Sequence, residues 1–196
     1  MSYMLNNQLE AADPKLFGEI NRWFGFVPNF YRAQAVRPDL IDAQFRMFNV
    51  MLLQDGALSR KLKEYVFLVC SAANLSTYCV TVHCEMVRML GVEGPDPEQI
   101  AIDHTSTNLP MAVKALLSFA AKLNSEPTTI GKADVDALRT YGYGEEQILE
   151  AVLMVATAKF SNFTAFGLGT VPDFDSSQVN FPFIRESHPR PSDPVL

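Results

Sequence analysis

Apolar residues recur at helical intervals along most of this chain, and nowhere do they alternate long enough to predict a strand. Behind Pro14, a favoured first-turn residue, Leu16, Phe17, Ile20, Trp23 and Phe24 share one helical face, and Gly25 ends it. "FVPNFYRAQAVRP" reads as a turn and a short helix. From Pro38 to about Gln54 the residues Leu40, Ile41, Phe45, Phe48 and Leu52 mark a longer one. "DGALS" interrupts the pattern, and Ser59 is placed to N-cap a helix over Arg60 to Ala73. The next helix starts after Ser76 and ends at Gly91, followed by the proline-punctuated loop "GVEGPDPEQ". Val113, Leu116, Leu117, Ala120 and Leu123 predict an amphipathic helix, and "TTIGKADVDALRTYG" a capped one ending at Gly142. Glu145 to about Gly167 is apolar nearly all round and predicts a central helix. The expectation is an all-α domain of at least seven helices, with Gly56, Gly91 and Gly142 at helix ends.

Composition adds limits. A chain of 196 residues with 48% hydrophobic residues suits one domain over 1–196 that can bury a core without staples. Residues 14–173 form that core and 174–196 an extended arm, since five of the twelve prolines follow residue 171. The apolar excess predicts a homo-oligomer, with Phe174, Phe181, Phe183 and Ile184 anchoring the arm on a neighbour. A net charge of −6 without a basic block argues against nucleic acid as a partner. The longest mainly apolar run, Ala151 to Ala158, stops at Lys159 and is too short to cross a membrane, and the start lacks a signal-peptide pattern. Three cysteines outside any disulfide framework fit a reducing compartment, and the cytoplasm is the expected location.

The chemistry concentrates in "NLSTYCVTVHCEM", residues 74 to 86. With Ser76 as N-cap, Cys79 falls in the first helical turn, where free N–H groups and the helix dipole favour a thiolate. The expectation is a thiol pKa below about 8.5. His83, four residues on, shares the Cys79 face, an arrangement that can activate a nucleophile. Packing alone would also produce such a pair. A metal centre is not expected, because no second Cys/His cluster exists, and no pattern calls for a cofactor. Helix geometry sets Cα atoms three apart at roughly 5 Å, within disulfide reach, and those five apart at roughly 8–9 Å, beyond it. Cys84 therefore cannot bridge to Cys79, and position 76, which could, is serine. Cys70 reads as a buried inert thiol, His104 and His188 as solvated, and Trp23, Phe24, Phe26, Phe30 and Tyr31 as core. A buried Glu64 needs a partner.

These residues resemble the AhpD-like alkylhydroperoxidases of the carboxymuconolactone decarboxylase family, in its peroxidase-related branch. The family's motif is a glutamate, eleven residues, then Cys-x-x-Cys-x-x-x-His. Here it runs Glu64, eleven residues, Ser76-Thr-Tyr-Cys79-Val-Thr-Val-His83. "VPNFYRAQAVRPDL", "LLSFAAKLNSEP" and "AVLMVATAKFSNFTAFGLG" extend the likeness over roughly residues 14 to 173.

The resemblance implies an oligomeric helical fold and a thiol peroxidase. Cys79 would be the peroxidatic thiol for a small or organic hydroperoxide, His83 its proton acceptor, and Glu64 the group that orients His83. Tyr78 takes a position that is histidine in some members. Ser76 replaces the resolving cysteine, so Cys70, another subunit or a small thiol would have to reduce the oxidised Cys79. Phe163 follows Asn162 where the branch often has arginine. Two other readings stand beside this one. One is lactone decarboxylase or isomerase chemistry by Glu64 and His83, with Arg60 or Arg88 holding the substrate carboxylate. The other is a non-catalytic oligomeric binding protein.

Overall fold

The computed structural model describes residues 2–3, 13–91 and 93–174. His188 and the anchors Phe181, Phe183 and Ile184 lie outside them. Nine α-helices and one 3-10 turn (Pro127–Thr129), with no strand, make up the described residues. The helices are α1 (Pro14–Phe24), α2 (Asn29–Arg32), α3 (Pro38–Met51), α4 (Arg60–Ala73), α5 (Thr77–Met89), α6 (Pro97–Asp103), α7 (Met111–Ser125), α8 (Lys132–Thr140) and α9 (Glu145–Leu168).

Local chemistry sets most boundaries. Asp13 accepts the Leu16 N–H at 3.0 Å, Pro14 opens α1, and Gly25 closes it in the left-handed region at φ 78°. Ser59 accepts the Leu62 N–H and starts α4. The expected proline-rich loop contains a helix instead. Asp96 accepts the Glu98 N–H, and Pro97 takes the first-turn position that needs no donor, so this proline opens α6 rather than breaking it. Helix α3 ends at Met51, three residues before the expected Gln54. Gly91 and Gly142 lie just past helix ends, both at positive φ.

Gly56 does not mark a helix end. It sits in the loop between α3 and α4, where an added Cβ would collide with the Glu150 carboxylate and lie 2.8 Å from Lys63 Nζ. That crowding has a purpose. Glu150 accepts the N–H groups of Ala57 and Leu58, at 3.0 and 2.8 Å, and pairs with the buried Lys63 at 3.4 Å. The loop is thereby fastened to α9.

Helix α4 is the hub, packed against α5, α6, α7 and α9, and every residue from Lys63 to Ala72 is buried. Helix α9 is central on one side only. Ile148, Ala151, Met154, Val155, Ala158 and Asn162 are buried, while Leu149, Leu153, Phe160 and Phe163 are exposed. By length and composition alone this 24-residue helix could cross a membrane, although its longest mainly apolar run is far shorter. Here its inner face packs on α4 and α7.

Burial makes the hub the most sensitive place to cut. Leu68→Ala, at a site with no exposure, should cost about 2–5 kcal/mol. Leu149→Ala, at 58% exposure on α9, should change stability by no more than about 0.5 kcal/mol. Urea unfolding of the two variants checks the contrast.

Candidate functional site

The site begins with a turn. After α4 the Ser76 N–H bonds to the Ser71 carbonyl and the Leu75 N–H to the Ala72 carbonyl, both at 2.9 Å. This is the glycine-type helix stop that Gly142 and Gly169 provide elsewhere, but Leu75 takes the left-handed position, at φ 57°. A side chain there costs roughly 1–2 kcal/mol, so the turn is held against strain. It reverses the chain within three residues and lays α5 along α4. Ser76 then closes α4 with its backbone N–H and stands at the N-cap position of α5, where its hydroxyl makes no capping hydrogen bond.

Cys79, at the third position of α5, and His83, one turn on, both line a cavity of about 70 Å³ with Glu64 of α4. His83 Nδ1 lies 2.6 Å from Glu64 Oε2, and Glu64 has no solvent exposure. With Glu64 ionised, Nδ1 donates to it and Nε2 becomes the ring's basic nitrogen. Phe67, one turn beyond Glu64, stacks on the imidazole with centroids 3.8 Å apart and fixes the plane of the ring. Arg60, a turn before Glu64, faces its other oxygen at 3.6 Å. The buried glutamate thus has the partner that its position demands.

Phe24, Phe30, Tyr31, Phe48, Phe67, Leu52, Leu53, Val82 and Met86 form most of the cavity wall. Among the described residues no lysine or arginine lines it. Since roughly 10–15 Å³ admits one water, the space takes a small organic molecule or several waters. The aromatics expected as core are core, and three of them, Phe24, Phe30 and Tyr31, also shape this cavity.

The expectation of a low thiol pKa fails. Burial pushes Cys79 up to about 11, because removing a thiolate from water is costly. Ser76 and Asn162 oppose the rise as partners for the ionised sulfur. Ser76 Oγ makes no regular hydrogen bond here. Burial pushes Cys70 and Cys84 up to about 12, and neither lines the cavity. Cys70 lies under α7, with Sγ 3.9 Å from the Ala120 carbonyl, which fits an inert thiol and removes it as a resolving partner.

Tyr78 lines the cavity with its ring but does not address the thiol with its hydroxyl. That hydroxyl accepts the Phe30 N–H at 3.1 Å and donates to Asp173 Oδ2 at 2.7 Å. Asp173 Oδ1 also accepts the Asn29 N–H, so Tyr78 ties α5, α2 and the segment after α9 together. His104 is not simply solvated. It is half-buried, 3.0 Å from Ser118 Oγ, and desolvation lowers its pKa. Behind Cys79, a polar network crosses the core. Asn74 donates to Asn162 and Asn124, Asn162 donates to Ser71, and Lys159 donates to the Asn124 carbonyl. Of these, only Asn162 stands out in the sequence. For the rest, the available signal is a scatter of single polar residues in apolar helices. Phe67 could be found from its i+3 spacing to Glu64.

Arg88, one candidate for holding a carboxylate, is taken by Glu85, Asp96 and Glu98 at 2.5–3.3 Å. Among the described residues no group of three or more His, Cys, Asp or Glu side chains is arranged to hold a metal ion.

An all-helical domain with a Glu–His pair beside a helix-start cysteine defines a recognisable class. Residues 38–118 match the model of the carboxymuconolactone decarboxylase family. The fold is similar to that of an uncharacterized peroxidase-related protein with an alkylhydroperoxidase AhpD core from Ralstonia eutropha JMP134. The TM-score is 0.82 at 28% identity, over 93% of this chain and 94% of that one. The debrominase Bmp8, solved with 2,3,4-tribromopyrrole, shares the fold at a TM-score of 0.70 and 21% identity, over 87% and 89% of the two chains. Human Sestrin-2 is 24% identical over 200 residues, covering 98% of this chain. The chain spans 40% of the length of that relative.

Cys79 alkylation tests the electrostatics. With ionisation near pH 11, its rate with iodoacetamide should climb about tenfold per pH unit from neutral pH to about 10, following the thiolate fraction. A rate that levels off by about pH 8 would show that the helix dipole wins after all.

Proposed function

We propose that the protein is a thiol peroxidase that reduces small or organic hydroperoxides at Cys79. The observation that carries this reading is that Cys79, His83 and Glu64 share one apolar cavity, with His83 Nδ1 anchored by Glu64. An apolar cavity favours the neutral thiol at rest, so the thiolate has to be made during reaction. His83 Nε2 takes the thiol proton, and Glu64 stabilises the imidazolium. The thiolate attacks one peroxide oxygen, the O–O bond breaks, and Cys79 becomes a sulfenic acid. The departing oxygen takes the proton and leaves as an alcohol or water. Sulfur loses two electrons and the peroxide gains them.

Restoring the thiol falls to a small external thiol. It displaces water from the sulfenic acid to give a mixed disulfide, and a second thiol releases Cys79. Ser76 cannot do this, and Cys70 and Cys84 lie outside the cavity. The similarity to a peroxidase-related protein supports the reading. The lactone reading is less well supported, since no described lysine or arginine lines the cavity with Glu64 and His83, Arg88 is already neutralised, and Arg60 lines only the neighbouring spaces. We also propose a homo-oligomer, which the exposed Leu149, Leu153, Phe160 and Phe163 support. The cytoplasm, which suits three unpaired thiols, is the proposed location.

Consumption of cumene hydroperoxide with dithiothreitol as reductant tests the activity. Cys79→Ser should abolish turnover and His83→Ala should slow it by about 10²-fold, with a smaller loss for Glu64→Gln. Ser76→Cys should place a second thiol at roughly 5 Å Cα spacing and yield an internal disulfide after one turnover. Undiminished activity in Cys79→Ser would reject the proposal.

A further inference from the structure

Three spaces adjoin one another, the first of them lined by Cys79 and the third an open groove. The inner cavity shares Phe24, Leu53 and Met86 with a second of about 160 Å³. That one shares Leu53, Arg60 and Leu90 with an open groove of about 650 Å³. Their lining changes along the way. The wall around Cys79 is mostly apolar, with Ser161 and two tyrosines beside the reacting groups, whereas Arg60 lines both other spaces.

Arg60 is unusual among the arginines. Arg88 and Arg139 each hold carboxylates at hydrogen-bond distance. The Arg60 guanidinium makes no hydrogen bond among the described residues. Its Nε is buried without a hydrogen bond and only ion-pairs, at 3.6 Å, with Glu64 Oε1, which also lacks a hydrogen bond. Charge-assisted pairs of this kind normally close to about 2.7–2.9 Å. The other charges in the groove are committed. Lys61 Nζ donates to the Glu93 carbonyl at 2.7 Å, and Asp55 accepts the Arg60 backbone N–H at 2.7 Å. Arg60 therefore keeps a planar set of donors in reserve at the point where apolar lining begins.

We propose that the outer two spaces form a binding site for an amphipathic carboxylate, its acid group on Arg60 and its apolar chain running past Trp23 and Met86 toward Cys79. Taken together with Cys79 as the peroxidatic thiol, this makes the hydroperoxides of apolar acids the favoured substrates. The carboxylate site itself stands apart from that chemistry. Binding an acid there satisfies the free donors of Arg60 while the chain covers the wall between groove and cavity.

The chain carries its own probe, because its single tryptophan, Trp23, lines the middle space. Octanoate, titrated against intact protein without any peroxide, should shift Trp23 emission saturably. Arg60→Gln should raise its Kd about tenfold, and Arg88→Gln should leave it unchanged. Octanol, of the same length but neutral, should bind all three proteins alike. If Arg60→Gln does not fold, Arg60→Lys is read instead, which keeps the charge but loses the planar fork and should also weaken octanoate alone. Octanoate binding that is absent or indifferent to Arg60, or octanol weakened by the same factor, overturns the proposal. Arg60-dependent octanoate binding in a protein that consumes no hydroperoxide would instead reject the peroxidase reading and leave this site standing.

Discussion

A carboxylate that no solvent reaches has to be satisfied by the protein itself, and Glu64 sits at the centre of α4 with no exposure at all. Everything around it answers that demand. His83 approaches from α5 at 2.6 Å, Arg60 faces its second oxygen, and Phe67 holds the imidazole in plane. For His83 to arrive there, α5 must run back along α4, and the strained three-residue turn through Leu75 makes it do so. The same reversal places Cys79 on the wall of the cavity that contains the pair. Remove the need to partner Glu64, and the register of α5 on α4 loses its main polar constraint.

The apolar surroundings have a second consequence. They suppress the resting thiolate of Cys79, so reactivity depends on a base close by rather than on a low intrinsic pKa. A thiol guarded in this way stays neutral at rest. The chain shares its fold with a peroxidase-related protein and with a debrominase, and one domain of this shape evidently serves several chemistries. Ser76 is a buried hydroxyl at the position where the family resemblance would place a resolving thiol.

Much of this architecture is legible in the amino-acid sequence, though unevenly. Pro14, Gly25, Ser59 and Gly142 announce helix ends because capping is local chemistry. The Glu64, Cys79 and His83 set is legible through spacing on helices. Helix α6 is hidden because prolines suggest a break, although Pro97 stands at a helix start. Gly56 resembles a helix stop, when its role is to make room for Glu150 and Lys63 from distant segments. The Cys79 pKa misleads for a related reason. A helix N-terminus is visible in a sequence, whereas desolvation is produced by α1, α2 and α3 closing over the cavity, a tertiary fact. Tyr78 likewise gives no hint of its bond to Asp173, 95 residues away.

The central claim is that the Glu64–His83 pair makes Cys79, and neither other thiol, the one that reacts with peroxide. Trapping with dimedone during exposure to equimolar hydrogen peroxide, followed by peptide mass mapping, tests it most directly. The expected result is a sulfenic-acid adduct on Cys79 that is lost in His83→Ala, with Cys70 and Cys84 unlabelled. Labelling of Cys70 or Cys84 ahead of Cys79, or Cys79 labelling that persists unchanged without His83, would contradict it.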